Sequence, residues 1–512
     1  MEKHGRRGRV GVSARLTLGL LSGWLSVSGG ACSSGTTGSS TQDLSATADL
    51  AMTAVEDMAS AGATDLSVAA DLSTPLPDLA GPGAQTGGPV WSRRMGSGDT
   101  DQANDVATDP SGNIFVVGEF RLSADLGGGA LNSAGFIDAF VAKYAPDGTH
   151  LWSKRLGSNI NEAAQAVVAD SAGNVYVAGA FESSVDFGGG PITAMGSRDV
   201  FVVKYSPTGA HIWSKRLGGI SDDAVQHLEF DPTGALLLVG QFTGIGDFGS
   251  GMVTSAGNTD VFVTKLDLAG NAVWAQRFGG LAAENGRGVA VDKAGNVVLT
   301  GSFNGTAAFG GAALVSAGGQ DAFVVKLDAA GAHVWSKRFG EFGTDAGVGA
   351  AFDSAGNVLL TGTFTSKIDF GLGPIAGGND SWVAKLTPQG VPVWGIRCGG
   401  SMTTTVQDIA VDKLDQVLIG GGFSGNADFG GGFLSVTGGV NTDAFMAKFA
   451  SNGSHVWSRN LGSSGNDGIN GVAVDALLNP VVAGSATGSD FGGTPLGTAG
   501  GGLDIVVSKR LP

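Results

Sequence analysis

Acidic side chains recur at one position of an internal repeat, and a ring of such carboxylates could concentrate cations or basic ligands. The position lies five residues after a repeated glycine, and its acidic occupants are Asp101, Glu162, Asp223, Glu284, Asp345 and Asp467. If these side chains circle one mouth of a channel, they form an acidic ring. The alternative, which we prefer, is that each carboxylate caps its own loop. A sevenfold ring would also space the carboxylates too widely for the compact oxygen cage that calcium requires.

No other set of residues has the pattern of a catalytic, metal or cofactor site. The Asp-Phe-Gly triplet that begins at Asp186 recurs from repeat to repeat without a glycine-rich ATP loop, which excludes a kinase. Four histidines share one repeat position, and within the repeats His227 alone stands elsewhere. No serine occupies a nucleophile elbow, and no zinc-ligand spacing is present. We therefore predict that the protein is not an enzyme and that it binds no metal or cofactor.

Two columns of charged residues are predicted to support the fold. Asp170 and its equivalents end the first strand of each repeat, where a carboxylate accepts backbone N–H groups of the following turn. Asp199 and its equivalents open the third strand, and Lys204 and its equivalents close it. Identical lysines in every repeat are better explained as scaffold ion pairs or solvated strand ends than as catalytic groups.

All of these residues are positioned by a repeat of about 61 residues, marked by tryptophans that are 61, 61, 61, 61, 59 and 63 residues apart. In the second copy, four strands are predicted at 166–170, 175–181, 199–205 and 211–217, with glycine-rich turns between them. Four antiparallel strands in each of seven copies predict an all-β fold, a seven-bladed β-propeller.

The phase of the repeat predicts how the ring closes. The first tryptophan strand, 90–95, precedes every other strand, and the last copy stops after its third strand, 504–509. We therefore expect the N-terminal strand to complete the last blade. This closure would protect the ring from opening at an exposed strand edge.

Three motifs carry a resemblance to a known family. In residues 173–204 they read Gly-Asn-Val-Tyr-Val-Ala-Gly, then Asp-Phe-Gly-Gly-Gly, then Asp-Val-Phe-Val-Val-Lys. The repeats resemble the bacterial β-propeller repeat family, known as SBBP repeats, over nearly all of residues 89–512. The resemblance implies the propeller fold. It implies no activity, because members are mostly surface or secreted proteins of unassigned function.

The first 31 residues have the plan of a bacterial secretory signal peptide. A basic start precedes an apolar run from Leu16 to Val27, which is too short to span a bilayer, and small residues then lead to Cys32. The segment resembles a lipoprotein signal, which implies that Cys32 is acylated and becomes the mature N-terminus. Gly29 departs from that pattern, which prefers leucine there, so plain secretion is the alternative.

Composition divides the rest of the chain into two regions. Residues 32–88 contain no Lys or Arg and are rich in Ser, Thr, Ala and Asp, which predicts a disordered tether. Residues 89–512 are predicted to form the propeller. The formal net charge of −16 argues against nucleic acid or anionic lipid as a partner.

Together these features predict a surface-tethered, non-enzymatic propeller that binds or scaffolds an extracellular protein or glycan. We expect a monomer that contacts the membrane only through its lipid anchor. It would lie in the cell envelope at the outer membrane or cell surface, or be secreted. The alternative is a carbohydrate-active lyase or hydrolase that uses channel-mouth carboxylates. The repeat with Trp382, Cys398 and Thr404 is the most irregular, so a site would first be sought at 382–408.

Overall fold

The computed structural model describes residues 87–439, 441–488, 490–496 and 502–512. The predicted signal peptide, the lipidation of Cys32 and nearly all of the predicted tether lie outside these residues. Every regular element in the described part of the chain is a β-strand, which confirms the all-β prediction. None of the described residues forms a helix that could cross a membrane.

The strands are numbered β1 to β34 in chain order. The first thirteen are β1 Pro89–Met95, β2 Gln102–Thr108, β3 Ile114–Phe120, β4 Ser123–Asp125, β5 Ala130–Asn132, β6 Asp138–Tyr144, β7 His150–Leu156, β8 Glu162–Ala169, β9 Val175–Phe181, β10 Ser184–Asp186, β11 Pro191–Thr193, β12 Asp199–Tyr205 and β13 His211–Gly219.

The central repeats have longer second and third strands. Their strands are β14 Asp223–Phe230, β15 Leu236–Asp247, β16 Met252–Leu266, β17 Ala272–Gly280, β18 Glu284–Val291, β19 Val297–Ala308, β20 Leu314–Leu327, β21 His333–Phe339, β22 Ala346–Phe352, β23 Val358–Asp369, β24 Pro374–Leu386 and β25 Pro392–Gly400. The final strands are β26 Thr404–Val411, β27 Val417–Ser424, β28 Asn426–Asp428, β29 Phe433–Ser435, β30 Thr442–Phe449, β31 His455–Asn460, β32 Asp467–Val474, β33 Pro480–Ala486 and β34 Asp504–Arg510.

Each repeat folds into a four-stranded antiparallel meander. In chain order the meanders are β2-β3-β6-β7, β8-β9-β12-β13, β14-β15-β16-β17, β18-β19-β20-β21, β22-β23-β24-β25, β26-β27-β30-β31 and β32-β33-β34-β1. We call them the first to seventh meanders. In the seventh, β1 pairs with β34, so that Trp91 lies opposite Lys509 and Met95 lies opposite Ile505.

The third strand of each meander is buried on both faces, because neighbouring meanders pack against both of them. In β12, Phe201 and Val203 pack against the first meander, whereas Val200 and Val202 pack against the third. Alternate side chains of a strand point to opposite faces, so an apolar run supplies two cores at once. This explains why Val200-Phe201-Val202-Val203 shows no polar alternation.

The meanders contact one another in chain order, and the seventh also contacts the first. The first strands touch in the order β2, β8, β14, β18, β22, β26 and β32, and β32 in turn touches β2. At the periphery, the end of one meander's last strand pairs with the next meander: Gly218 with Asp247, and Gly399 with Asp428. A bridge between Gly96 and Asp125 links the seventh meander to the first in the same way.

The charged columns hold this scaffold together, as predicted. Asp170 Oδ1 accepts hydrogen bonds from the backbone N–H groups of Ala172 and Asn174 in the turn after the first strand. Lys204 Nζ lies 3.8 Å from Asp170 Oδ2, and the equivalent ion pair is present in every meander. Arg216 donates to Asp199 at the start of the third strand. The lysines are therefore part of the scaffold.

Tryptophan and lysine side chains also connect neighbouring meanders. Trp152 Nε1 and Lys143 Nζ both donate to the carbonyl oxygen of Pro207 in the next meander, at 3.0 and 3.2 Å. The same contact joins the seventh meander to the first, where Trp91 and Lys509 donate to Pro146 O at 3.2 and 3.3 Å.

Candidate functional site

The six predicted acidic residues are buried where each meander begins. Asp101 Oδ2 accepts a hydrogen bond from the backbone N–H of Ser97 (2.8 Å), and Oδ1 accepts one from the backbone N–H of Arg121 (3.1 Å). The others bind backbone N–H groups of their own loops in the same way: Glu162, Asp223, Glu284, Asp345 and Asp467. None is more than 3% exposed. This placement favours loop capping over an open acidic ring.

Each of these acids has a raised pKa, chiefly because it is buried and to a smaller extent because a second carboxylate lies close to it. Gly96 separates Asp101 from Asp504, since a Cβ atom there would lie 2.7 Å from an oxygen of each. Burial, with a smaller contribution from Asp504, raises the pKa of Asp101 to about 6. Burial raises the pKa of Glu284 and of Asp345 to about 7. No cluster of three or more potential metal ligands occurs among the described residues.

The first strands surround a polar cavity of about 240 Å³, which we call the axial cavity. Every first strand contains a β-bulge, and a bulge re-aims the side chain at that point. The bulged residues all line the cavity: Asn104, Gln165, Gln226, Arg287, Val348, Gln407 and Asn470. These seven residues were not predicted as a column from the sequence. In five repeats an Asn or Gln stands three residues after the position of the acidic column, and this recurrence in the sequence could have revealed them.

Two aspartates of the axial cavity join adjacent first strands. Asp105 accepts hydrogen bonds from the backbone N–H groups of Val106 (2.7 Å) and Val167 (2.8 Å). Asp408 bridges the sixth and seventh meanders in the same way. Burial raises the pKa of Asp105 well above its usual range and that of Asp408 to about 7. Because both oxygens of each carboxylate already have backbone partners, these residues support the cavity wall.

His227 makes the lining of the axial cavity asymmetric, and Glu229 follows it two residues later in β14. Other repeats carry smaller or uncharged residues at the Glu229 position, and none carries a second histidine at the His227 position. Burial lowers the pKa of His227 to about 4 and raises that of Glu229 to about 7, because it disfavours the charged form of each side chain. His227 Nδ1 is buried without a hydrogen-bond partner among the described residues.

A second polar pocket, of about 330 Å³, lies beside the axial cavity and is lined by residues of the first three meanders. We call it the lateral pocket. Its polar lining includes Glu119, Gln165, Glu182, Arg198, Gln226 and Gln241. Gln165 and Gln226 belong to both cavities.

The irregular fifth repeat contributes to the core. Trp382 is fully buried and packs against Phe370 with ring centroids 5.1 Å apart. Cys398 is a fully buried free thiol, and burial raises its pKa, which disfavours the reactive thiolate. Of the segment 382–408, Gln407 and Asp408 line the axial cavity.

The loops that connect successive meanders expose large apolar side chains. Ile220, Leu281 and Phe342 stand at one repeat position and are 62%, 83% and 77% exposed. Met402, in the next such loop, is 60% exposed. We call these four residues the apolar loop arc. The equivalent loops before the first and seventh meanders carry Gly98 and Ser464, so the arc occupies only part of this face.

Repeated four-stranded meanders, packed face to face around a cavity lined by their first strands, define the β-propeller class. A family model described as a β-propeller repeat, SBBP, matches residues 90–119. This match confirms the resemblance at the first repeat.

Two curated proteins are similar to the chain. An uncharacterized WD repeat-containing protein of Acanthamoeba polyphaga mimivirus is 22% identical over 77% of this chain and 36% of its own length. The regulatory protein FlaEY of Caulobacter vibrioides is 27% identical over 40% of this chain and 22% of its own length. The chain thus spans about a third or less of these relatives.

Solved structures with similar folds include Sqt1 from Chaetomium thermophilum, with a TM-score of 0.43 and 12% identity over 82% of this chain and 98% of that one. The Pan2 WD40 domain of Neurospora crassa has a TM-score of 0.31 and 10% identity over 67% of this chain and 94% of that one. Similarities this distant carry no argument about function.

Proposed function

We propose that this protein is a non-enzymatic β-propeller that binds or scaffolds an extracellular protein or glycan partner. The observation that carries the proposal is the apolar loop arc. Its four large apolar side chains are exposed in loops between successive meanders, and binding residues commonly lie on loops held by a rigid scaffold. The curated relative with WD repeats is consistent with a scaffold built from propeller repeats.

The proposed propeller is a closed ring of seven blades in which β1 completes the last blade. Three observations support closure. β1 pairs with β34, β32 touches β2, and Lys509 donates to Pro146 O with the geometry found between other neighbours. Closure leaves no end of the ring unpaired, so the loops keep fixed relative positions.

The enzymatic alternative has less support. The carboxylates on which it depends are buried, are occupied by backbone hydrogen bonds and repeat nearly uniformly. A catalytic pair must reach its substrate. We therefore assign these acids to the scaffold.

The binding proposal is tested by paired substitutions of equal character. Leu281→Ser with Phe342→Ser removes the centre of the arc. Val273→Ser with Val334→Ser is the control, since these residues are 57% and 51% exposed on last strands away from the loops. We expect the first variant, and not the second, to lose binding to immobilised outer-membrane proteins or glycans. Equal binding by both variants, or no binding by the unmodified protein, contradicts the proposal.

We further propose that acylated Cys32 and a flexible tether hold the propeller at the cell surface, on the evidence of the sequence pattern. The test is protease shaving of intact cells, with a Cys32→Ala variant separated into membrane and medium. Release of a fragment starting near Val90, and appearance of the variant in the medium, supports a surface lipoprotein. Retention of the variant in the membrane contradicts lipidation, and resistance to shaving contradicts surface exposure.

A further inference from the structure

We propose that the lateral pocket binds a neutral, polyhydroxylated ligand, the end of a glycan chain, through its carboxamides and Glu119. This inference rests on the proposed binding function and names the ligand class for one site on the propeller.

The lateral pocket is made by residues that depart from the repeat. Glu119, in β3, is the only acid at its repeat position. The equivalent residues are Ala180, Gln241, Ser302, Thr363, Gly422 and Ser485. Glu182 and Arg198 likewise have no charged equivalent of the same sign in the other repeats, so no other meander can form the same pocket. Such asymmetry is what a specific site in a repeat protein requires.

Several polar groups of the pocket make no hydrogen bond to another described residue. The Glu119 side chain makes no hydrogen bond to another described residue, and burial raises its pKa. Gln241 Oε1 is buried and unpartnered, and the side chains of Gln165 and Gln226 make no hydrogen bond to other described residues. Because the buried Gln241 Oε1 is unsatisfied, it costs free energy, and a ligand that donates to it gains affinity. Glu119, Gln165 and Gln226 are partly exposed and offer further hydrogen-bonding groups to the same ligand.

The chemistry of these groups selects hydroxyls. A carboxamide offers donors and acceptors together, and a hydroxyl needs both. An anionic ligand would be repelled by Glu119 and Glu182, because the guanidinium of Arg198 is already bound to Asp222 at 3.0 and 2.9 Å. A cationic ligand needs acceptors alone, but each carboxamide oxygen of the pocket is accompanied by N–H donors, which a cation cannot use. A neutral sugar avoids both conflicts.

The pocket also has an apolar side and a suitable size. Ile137 lines it, and the adjacent Phe136 is 76% exposed on the same loop. Sugar rings present C–H faces that pack on such side chains. A volume of about 330 Å³ lies at the small end of ligand pockets, which span roughly 300–1,000 Å³, and it suits one or two sugar units.

The experiment titrates the purified full-length protein with neutral hexose and N-acetylhexosamine oligosaccharides by calorimetry. We compare Glu119→Ala and Gln241→Ala with Thr363→Ala, which alters the equivalent position outside the pocket. Each pocket variant should weaken binding about tenfold, the effect of one lost hydrogen bond to a polar ligand. The control should bind as the unmodified protein does.

Three results overturn the inference. They are no saturable binding of any neutral oligosaccharide, equal binding by all variants, and tighter binding of a trilysine peptide than of every sugar. The use of two pocket variants keeps the test valid if one of them fails to fold. If the lateral pocket binds no sugar but the propeller does bind a partner, Leu281→Ser with Phe342→Ser should still abolish partner binding. That result would contradict the inference about the pocket and leave the proposed function standing.

Discussion

At the scale of single residues, the acidic column shows how one pattern can have two meanings. Glu284 and Asp345 look like ligand-binding carboxylates, yet each accepts a backbone N–H group and is excluded from water. Their raised pKa values follow mainly from desolvation, which disfavours the charged form. Because these ionisable groups are buried in the folded protein, its free energy of unfolding depends on pH.

We predict that this dependence favours mildly acidic conditions. The folded-state pKa of Glu284, about 7, lies above its ordinary value of 4.5, so the folded protein holds the proton more tightly. Its contribution is fully present below pH 4.5 and is lost as pH rises through 7. The Tm of the unmodified protein, compared with that of Glu284→Gln by calorimetry, should therefore fall more steeply between these pH values.

His227 has the opposite effect, because its folded-state pKa lies below its usual value. The comparison with Glu284→Gln removes this contribution, since His227 is present in both proteins. Parallel Tm curves for the two proteins would contradict the prediction.

At the scale of elements, the glycine-rich segment of each repeat is shaped by the histidine column. A Cβ atom at Gly189 would lie 2.2 Å from Cε1 of His211, and equivalent contacts occur at Gly128, Gly311 and Gly431. The histidine ring thus occupies the space that a side chain would need. This explains why glycine and histidine recur together, and it gives the histidine ring a packing role.

We predict that Gly189→Ala lowers the free energy of unfolding by about 2 kcal/mol, the usual effect of overpacking. His211→Ala makes room for the new methyl group, so the double variant should lose less than the two single effects added together. Urea unfolding of the four proteins measures this coupling. Simple additivity would show that the two residues do not share the space.

At the scale of the whole molecule, the contact between the first and last strands decides whether the ring is closed. Ser92 and Ser508 are direct partners across β1 and β34, with their Oγ atoms 2.8 Å apart. They are separated by 416 residues in the sequence, so this pairing joins the two ends of the propeller.

We predict that Ser92→Cys with Ser508→Cys forms a disulfide under mild oxidation. Such a bond across a very long loop should raise the free energy of unfolding by about 4 kcal/mol. Non-reducing gels and urea unfolding measure the two effects, and each single cysteine variant is the control. If the double variant keeps its free thiols, the ends do not meet and the ring is not closed as proposed.

Much of the fold was predictable because it is local. The strands expected at 175–181 and 199–205 are the observed β9 and β12. Their positions follow from apolar runs bounded by turn residues, and the Asp170 turn follows from the hydrogen bonds available to a short carboxylate. The first strand of the second repeat was predicted too short, since the observed β8 begins at Glu162 rather than at Ala166. The bulge at Gln165 interrupts the pattern from which strands are recognised.

The sequence by itself determined the repeat, the all-β class and the scaffold role of the charged columns, because each depends on residues close together in the chain. Only the tertiary structure decided which acids are buried, which loop residues are exposed and which carboxamides face a cavity. The lateral pocket brings together Glu119, Gln165 and Gln241, which lie on three meanders. Such convergence depends on how the meanders pack, and no spacing within one repeat encodes it.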